Sequence, residues 1–312
     1  MRRRFGGKIV KVSLDAGNSC PNRDGSVGTG GCLFCSPRGS GDFAGDACVG
    51  IAEQFTQVRR RTLKKWPQAR YIAYFQSYTS THGDPDRLAA LVREARCLPD
   101  VVGVVLATRP DCLGDGVMRV LTDPLTKPLW LELGLQSVHD DSLRLMNRGH
   151  DFACFAEALE RLNAHDIPVC AHVVMGLPWE DRAMMLETGR RIARMPLQGV
   201  KIHSLYIVKG SSLGRMWEGG GFPGSWRLLS RREYVDLIVE ILEVLPPEFL
   251  VHRLTGDGRY RDVLAPDWTL AKWELLNAVD RELERRGSWQ GRSVIMPTRQ
   301  WRTDTAGVSA PV

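Results

Sequence analysis

Apolar residues enter this chain as short, nearly continuous runs separated by longer stretches of helical periodicity. Six runs rich in Val, Ile, Leu and Tyr predict strands over residues 8–14, 71–75, 101–107, 129–135, 169–175 and 200–208. Most are apolar at almost every position, as expected of strands covered on both faces. Helices are predicted over 50–65, 84–97, 111–121, 151–165, 180–195 and 230–245. In the fourth, Phe155, Leu159 and Leu162 recur on one face. Asp84-Pro85 supplies a cap and a first-turn proline, and Pro246-Pro247 stops the sixth helix. An amphipathic stretch over 269–286 predicts a further helix. Residues 291–312 lack periodicity and are expected to form a disordered tail.

Alternation of strand and helix implies a parallel sheet with right-handed crossovers. The fold class is α/β. Six such units fit an incomplete (β/α)6 TIM-like barrel with a helical C-terminal extension, and they also fit an open doubly wound sheet. Boundaries are expected at 1–255 for a core carrying a loop at 20–45, 256–290 for the helical extension and 291–312 for the tail.

A length of 312 residues, with 43% hydrophobic and 25% charged, suits one large α/β domain or two small ones. No stretch reaches the roughly 18 apolar residues of a spanning helix, and Phe5-Gly6-Gly7-Lys8 follows the basic start where a signal peptide would have its apolar core. These features predict a cytoplasmic protein with no membrane partner. A net charge of +6 permits a polyanionic partner such as RNA, and arginine runs occur at residues 2–4, 59–61 and 190–191. The two helix-borne runs read equally well as solvated faces.

Of the eight cysteines, five stand singly in apolar segments and read as buried thiols. The other three, Cys20, Cys32 and Cys35, share a glycine-rich loop directly after the first predicted strand, in a C-x11-C-x2-C arrangement. Three thiolates in one loop form a metal-binding pattern, and Gly30-Gly31 lets the chain fold back on itself. A structural zinc normally takes four protein ligands, and so does an ordinary [4Fe–4S] cluster. Three ligands leave one iron open to a non-protein group. Cys48 is the nearest further thiol and the one a closed zinc site would need. Barrel active sites gather at strand C-terminal ends, which is where this loop falls, and this favours the barrel over the open sheet.

Around this loop the sequence resembles radical S-adenosylmethionine proteins. Phe34 stands between the last two cysteines where that family has an aromatic residue. The long first spacing is similar to the branch containing the Elongator catalytic subunit and the YhcC/YtqA-type proteins. The closer likeness, to the latter, runs through SLDAGNSCPNRDG, GGCLFCSPRGSGDFAG, YFQSYTSTH, TRPDCL, ELGLQS, NRGHD, HVVMGLPWE, KIHSLY and VHRLTGD. The resemblance implies that Cys20, Cys32 and Cys35 are catalytic cluster ligands and that S-adenosyl-L-methionine occupies the open iron. Reductive cleavage of that cofactor would then give a 5′-deoxyadenosyl radical.

By position the resemblance also implies cofactor contacts. Gln76 and Ser77 stand where relatives use a Gly-Gly-Glu-like turn. Arg109 is placed to pair with a carboxylate. Glu132 and Gln136 border the fourth strand as contacts to amino group or ribose. Arg148, in NRGH, matches a cofactor-carboxylate arginine, and His172 stands where relatives place an aspartate for the ribose. Gly176-Leu177-Pro178 matches an adenine-side turn. As a bland alternative Glu132 pairs with a core arginine, and His172 and His203 are satisfied core histidines.

The same resemblance implies tRNA as substrate, with a wobble-uridine carboxymethylaminomethyl group converted to aminomethyl, and an electron donor such as flavodoxin or ferredoxin. Two competing expectations are a radical enzyme acting on a small metabolite and a non-enzymatic zinc-dependent binding module.

Overall fold

The computed structural model describes residues 5–39, 44–222 and 224–294. Nine strands are present: β1 (Ile9–Leu14), β2 (Arg70–Phe75), β3 (Val101–Thr108), β4 (Trp130–Gln136), β5 (Val169–Met175), β6 (Gly199–Ser204), β7 (Ile207–Val208), β8 (Leu250–Arg253) and β9 (Val263–Ala265). Seven form one sheet in the order β1-β2-β3-β4-β5-β6-β8, and every neighbouring pair is parallel. The sheet curls into a half-barrel that is open between β1 and β8. The crossovers are α1 (Ile51–Lys65), α2 (Pro85–Arg96), α3 (Asp115–Thr122), α5 (Phe152–Asn163), α6 (Arg182–Ala193) and α8 (Arg231–Val244), and α9 (Lys272–Arg286) closes the described chain. Two short helices, α4 (Asp140–Leu145) and α7 (Ser212–Glu218), lie on the C-terminal side of the strands.

The twofold alternation of a strand sorts side chains to two surfaces. Val12, Tyr71, Ala73, Val104, Leu106, Leu131, Leu133, Ala171, Val173, Val200 and Ile202 face outward and pack with Phe55, Val92, Leu159, Ile192 and Ile238 of the helices in the main core. Ile72, Tyr74, Val105, Ala107, Trp130 and Cys170 point into the half-barrel and fill its floor as a separate cluster. The apolar runs therefore belong to strands buried on both faces. The charged residues that interrupt them, Lys11, Glu132 and Lys201, share the inner face with Tyr74 and Trp130.

Helix starts follow the capping logic of the sequence. The Asp84 carboxylate accepts from the Asp86 N–H with Pro85 in the first turn, and Asp151 and Asp181 accept from the N–H groups of Cys154 and Met184. Ser230 and Glu233 form a reciprocal capping box at α8.

The half-barrel carries one more strand than the six apolar runs announce. β8 is four residues long and partly exposed along its whole length, so it gives no apolar run. Pro246-Pro247 ends α8 just ahead of it and turns the chain back to β6. The sixth run also divides. β6 stops at Ser204, and Ile207–Val208 pairs antiparallel with β9, a ladder the sequence pattern does not announce. The stretch expected as a helix over 111–121 is a 3-10 turn at Pro110–Cys112 followed by α3. Residues 2–4 and most of the tail expected over 291–312 lie outside the described residues.

The capping box at α8 satisfies two otherwise unpaired N–H groups on a helix whose inner face packs deep in the core. Ser230→Ala is expected to lower unfolding free energy by about 1 kcal/mol in urea denaturation, and an unchanged midpoint and slope would contradict that role.

Candidate functional site

The loop between β1 and α1 crosses the C-terminal end of the half-barrel. Its first turn is closed by the Cys20 carbonyl, which accepts from Arg23 N–H at 2.8 Å, and Cys32 and Cys35 are joined by a turn of 3.0 Å. The Asn147 side chain donates to the carbonyls of Gly31 (2.9 Å) and Thr29 (3.2 Å), the Asn22 side chain donates to the Asn147 carbonyl, and the Met146 carbonyl accepts from Leu33 N–H at 3.0 Å. Asn147 takes a φ of 56°, tolerable for asparagine, and Gly149 a φ of 76°. At Gly31, φ is 75° and an added Cβ would meet Arg23 Nε at 2.7 Å. The loop is therefore fastened by backbone geometry as well as by side chains, with Arg23 donating to the carbonyls of Ser36 and Pro37.

This arrangement brings Cys20, Cys32 and Cys35 to the wall of one cavity of about 90 Å³. Cys32 is buried, and its sulfur accepts from Arg148 Nη1 at 3.6 Å and Asn22 Nδ2 at 3.9 Å. The hydrogen bond from Cys35 holds the Cys32 thiol well below its ordinary range against the opposite push of burial, and Arg148 adds to the effect. A thiolate is the ligand form of cysteine, so the donor set suits a metal centre. Cys48 is exposed and absent from this wall, which leaves the cavity three thiols rather than four. The Nε of Arg148 is buried with no partner among the described residues, and Ser77 Oγ and Thr79 Oγ1 are in the same condition. Three thiols beside orphaned donors fit an iron–sulfur cluster with one open corner and a polar cofactor laid against it.

A second cavity, of about 240 Å³, adjoins the first. They share Cys35, Gly39, Gln76, Gln136, His172 and His203. Phe34, Val174 and Leu205 give the second an apolar side. Gln76 accepts from Ser13 at 3.2 Å, and Tyr78, at a φ of 52°, donates to the Pro37 carbonyl. Gln136 follows a bulge in β4 and has a φ of 78°, a conformation unusual for a residue with a Cβ and one that gathers at functional sites. A Cβ on nearby Gly134 would meet Arg148 Nη2 at 2.5 Å, so glycine is what lets that arginine lie across the strand.

Two of the expected contacts are committed to other partners. Arg109 donates from Nε (2.9 Å) and Nη2 (2.6 Å) to Asp111, and from Nη1 to the Arg148 carbonyl (2.8 Å). The carboxylate it grips is two residues away, so its fork is occupied.

Glu132 is fully buried at the centre of the half-barrel. Its carboxylate accepts from Lys11 Nζ (2.7 Å), Lys201 Nζ (2.8 Å), His172 Nε2 (2.7 Å), the Tyr74 hydroxyl and Trp130 Nε1 (3.3 Å). Both oxygens are saturated by β1, β2, β4, β5 and β6, and this departs from an amino or ribose contact and equally from a core arginine pair. Burial alone would raise the Glu132 pKa, but Lys201, His172 and Lys11 overcome it and hold the group well below the carboxylate range. His172 is thereby a Glu132 partner as well as a wall residue of both cavities.

Lys11, Lys201 and the loop fasteners Asn22 and Asn147 are not among the residues that the sequence pattern singles out. The signal existed for the lysines, since each is a lone cation within a strand-like apolar run, as Glu132 is a lone anion in WLELGL.

A family model described as the Radical SAM superfamily matches residues 18–192, and one described as the Radical_SAM C-terminal domain matches residues 197–285. The chain is 46% identical over 293 residues to YtqA of Bacillus subtilis, covering 94% of this chain and 90% of that one. It is 37% identical over 303 residues to YhcC of Escherichia coli, covering 96% of each. The solved structure of Elp3 from Methanocaldococcus infernus, lacking its N-terminus, aligns with a TM-score of 0.67 at 16% identity. That alignment covers 90% of this chain but only 64% of the other, and the likeness is one of fold.

The buried imidazole network predicts a pH dependence. Burial, with Lys201 nearby, pushes His172 down to about 4 despite the opposing pull of Glu132. The folded protein keeps this ring neutral, whereas the unfolded chain takes up its proton near pH 6.5. Stability is therefore intact above 6.5 and drains as the pH falls toward 4, at up to about 1.4 kcal/mol per pH unit for this group. Urea unfolding of His172→Gln between pH 7 and 5 is expected to fall less steeply than wild type; parallel curves would remove His172 from the network's titration.

Proposed function

The chain belongs to the radical SAM superfamily, enzymes that hold a [4Fe–4S] cluster and S-adenosylmethionine, and on that premise we propose that it modifies the wobble uridine of tRNA, converting a carboxymethylaminomethyl group to aminomethyl. Support comes from the motifs shared with the Elongator and YhcC/YtqA branch, and from the likeness of fold to an Elp3. The observation that carries it is the character of the lumen beneath the thiols. Lys201, His172, His203 and Gln136 line it, a polar wall suited to a substrate with hydrogen-bonding and charged groups.

In this reading Cys20, Cys32 and Cys35 hold the cluster. When bound, the cluster and its cofactor would supply the one-electron chemistry that removes a hydrogen atom from the substrate. The remaining work falls to the chain's own groups. Arg148 lies against the Cys32 sulfur and the Gly134 carbonyl (2.8 Å), and so ties the ligand loop to β4. Gln76 and Gln136 offer amide groups at the strand ends, on the wall of both cavities, and the buried Ser77 hydroxyl beside Gln76 in the chain has no partner among the described residues. Glu132 holds the Lys201 ammonium, Tyr74 and His172 in fixed positions, so the lumen is polar yet rigid. Below it Val105, Trp130 and Cys170 form a buried apolar floor. Such an enzyme needs a reductant, and a small electron-transfer protein such as flavodoxin or ferredoxin would meet that need.

Among the described residues no helix is long and apolar enough to cross a membrane.

Two measurements test the reading. Anaerobic reconstitution is expected to load roughly four irons per chain, and Cys32→Ala should lose most of that iron along with 5′-deoxyadenosine formation. Mass spectrometry of tRNA nucleosides from cells lacking the gene should show carboxymethylaminomethyluridine accumulating at the expense of aminomethyl forms. Unchanged wobble uridines would end the tRNA reading and leave the radical chemistry in place.

A further inference from the structure

The half-barrel is open between β1 and β8, and a third cavity of about 460 Å³ lies in that gap, lined by Lys11, Tyr74, Trp130, Lys201, His252 and Arg253 among others. Its volume is in the range of small-ligand sites. Ser13, Gln76 and Arg253 also line the 240 Å³ cavity beside the thiols, so the gap leads toward the site already described.

The charges around this path do not balance. Lys11 and Lys201 both pair with the single carboxylate of Glu132. Arg253 (3.5 Å) and Lys272 (2.9 Å) likewise share the single carboxylate of Asp257. In each group two cations face one anion, which leaves one positive charge uncompensated. The surrounding histidines add no negative charge, and burial keeps His172 and His252 neutral. His203 lines both cavities near the thiols, and its Nε2 is buried with no hydrogen-bond partner among the described residues. A partly buried excess of positive charge with an unused ring nitrogen beside it is unfavourable unless an anion completes the group.

Arg253 is the cation most free to take that anion. Lys201 is buried and held by Glu132 and the Tyr74 hydroxyl, whereas among the described residues the Arg253 guanidinium makes one side-chain hydrogen bond, a long one of 3.5 Å to Asp257, itself gripped more closely by Lys272. Arginine presents a planar fork that matches a carboxylate with two parallel hydrogen bonds. We propose that the open side of the half-barrel is an anion site in which Arg253, with Lys201 and His203 nearby, grips a carboxylate carried by the substrate. The identity of the carrier, a carboxymethylaminomethyl group on tRNA, rests on the function proposed above; the anion site itself rests on the charge pattern.

The test uses the full-length, anaerobically reconstituted protein with S-adenosylmethionine, and reads equilibrium binding rather than turnover. An anticodon stem-loop bearing 5-carboxymethylaminomethyluridine is compared with the same RNA as its methyl ester, which removes the negative charge and adds one methyl group. Wild type is expected to bind the acid about tenfold more tightly than the ester. Arg253→Gln should bring that ratio to about one without weakening ester binding, and Arg253→Lys should retain part of it. Circular dichroism melting confirms that both variants are folded. An acid-to-ester ratio near one in wild type, or one unchanged in Arg253→Gln, overturns the anion site and leaves the tRNA reading intact. If neither RNA binds wild type, the tRNA reading fails and N-methylglycine and inorganic phosphate are titrated instead. N-methylglycine binding that is lost in Arg253→Gln and not matched by phosphate upholds the carboxylate site, and any other result there overturns it.

Discussion

The structure turns on a carboxylate kept away from water. Glu132 is fully buried in the middle of a parallel half-barrel, where an unpaired charge would be prohibitive, and it is tolerated because five donors from five strands converge on it. Lys11 reaches it from β1, Tyr74 from β2, Trp130 from β4 itself, His172 from β5 and Lys201 from β6. A strand that slipped by one residue would turn its donor outward among the helices and leave Glu132 short of a partner. The apolar faces drive the sheet together, and this polar centre selects the register in which they meet.

The same centre decides what the upper lumen can be. With the carboxylate saturated, the polar groups left for ligands are those around it: Gln76 and Gln136 at the strand ends, His203 with its unused nitrogen, and Arg148 with its orphaned Nε. Above them lies the cysteine loop, whose position is set largely by main-chain carbonyls. Asn22 and Asn147 stitch it to the turn after α4 and so hold the thiols at the cavity wall. A ligand loop fastened over a polar lumen suits one-electron chemistry, in which a reactive species must be confined.

Electrostatics runs from one end of the half-barrel to the other. Arg109 is neutralised by its neighbour Asp111 and serves to hold the Arg148 backbone, whereas the cations along the open edge have fewer anions than they need. Arg109 directly follows β3 and Arg253 is the last residue of β8. Their roles diverge because one has a carboxylate two residues away in a 3-10 turn and the other shares its carboxylate with Lys272.

What the amino-acid sequence determined by itself was local. The apolar runs that became β1 to β6, the cap at Asp84, and the C-x11-C-x2-C loop were all legible, because burial on two faces, helix capping and ligand spacing are written in contiguous residues. Motif likeness carried the family. What only the tertiary structure decided was pairing at a distance. β8 was silent because a short, half-exposed strand has no apolar signature, and the partners of Glu132 stand 58 to 121 residues away in the case of Tyr74, Lys201 and Lys11. A lone charge in an apolar strand announces that a counter-charge must exist, but its identity is settled only when the sheet curls and inward-facing side chains from separate strands reach one point in space.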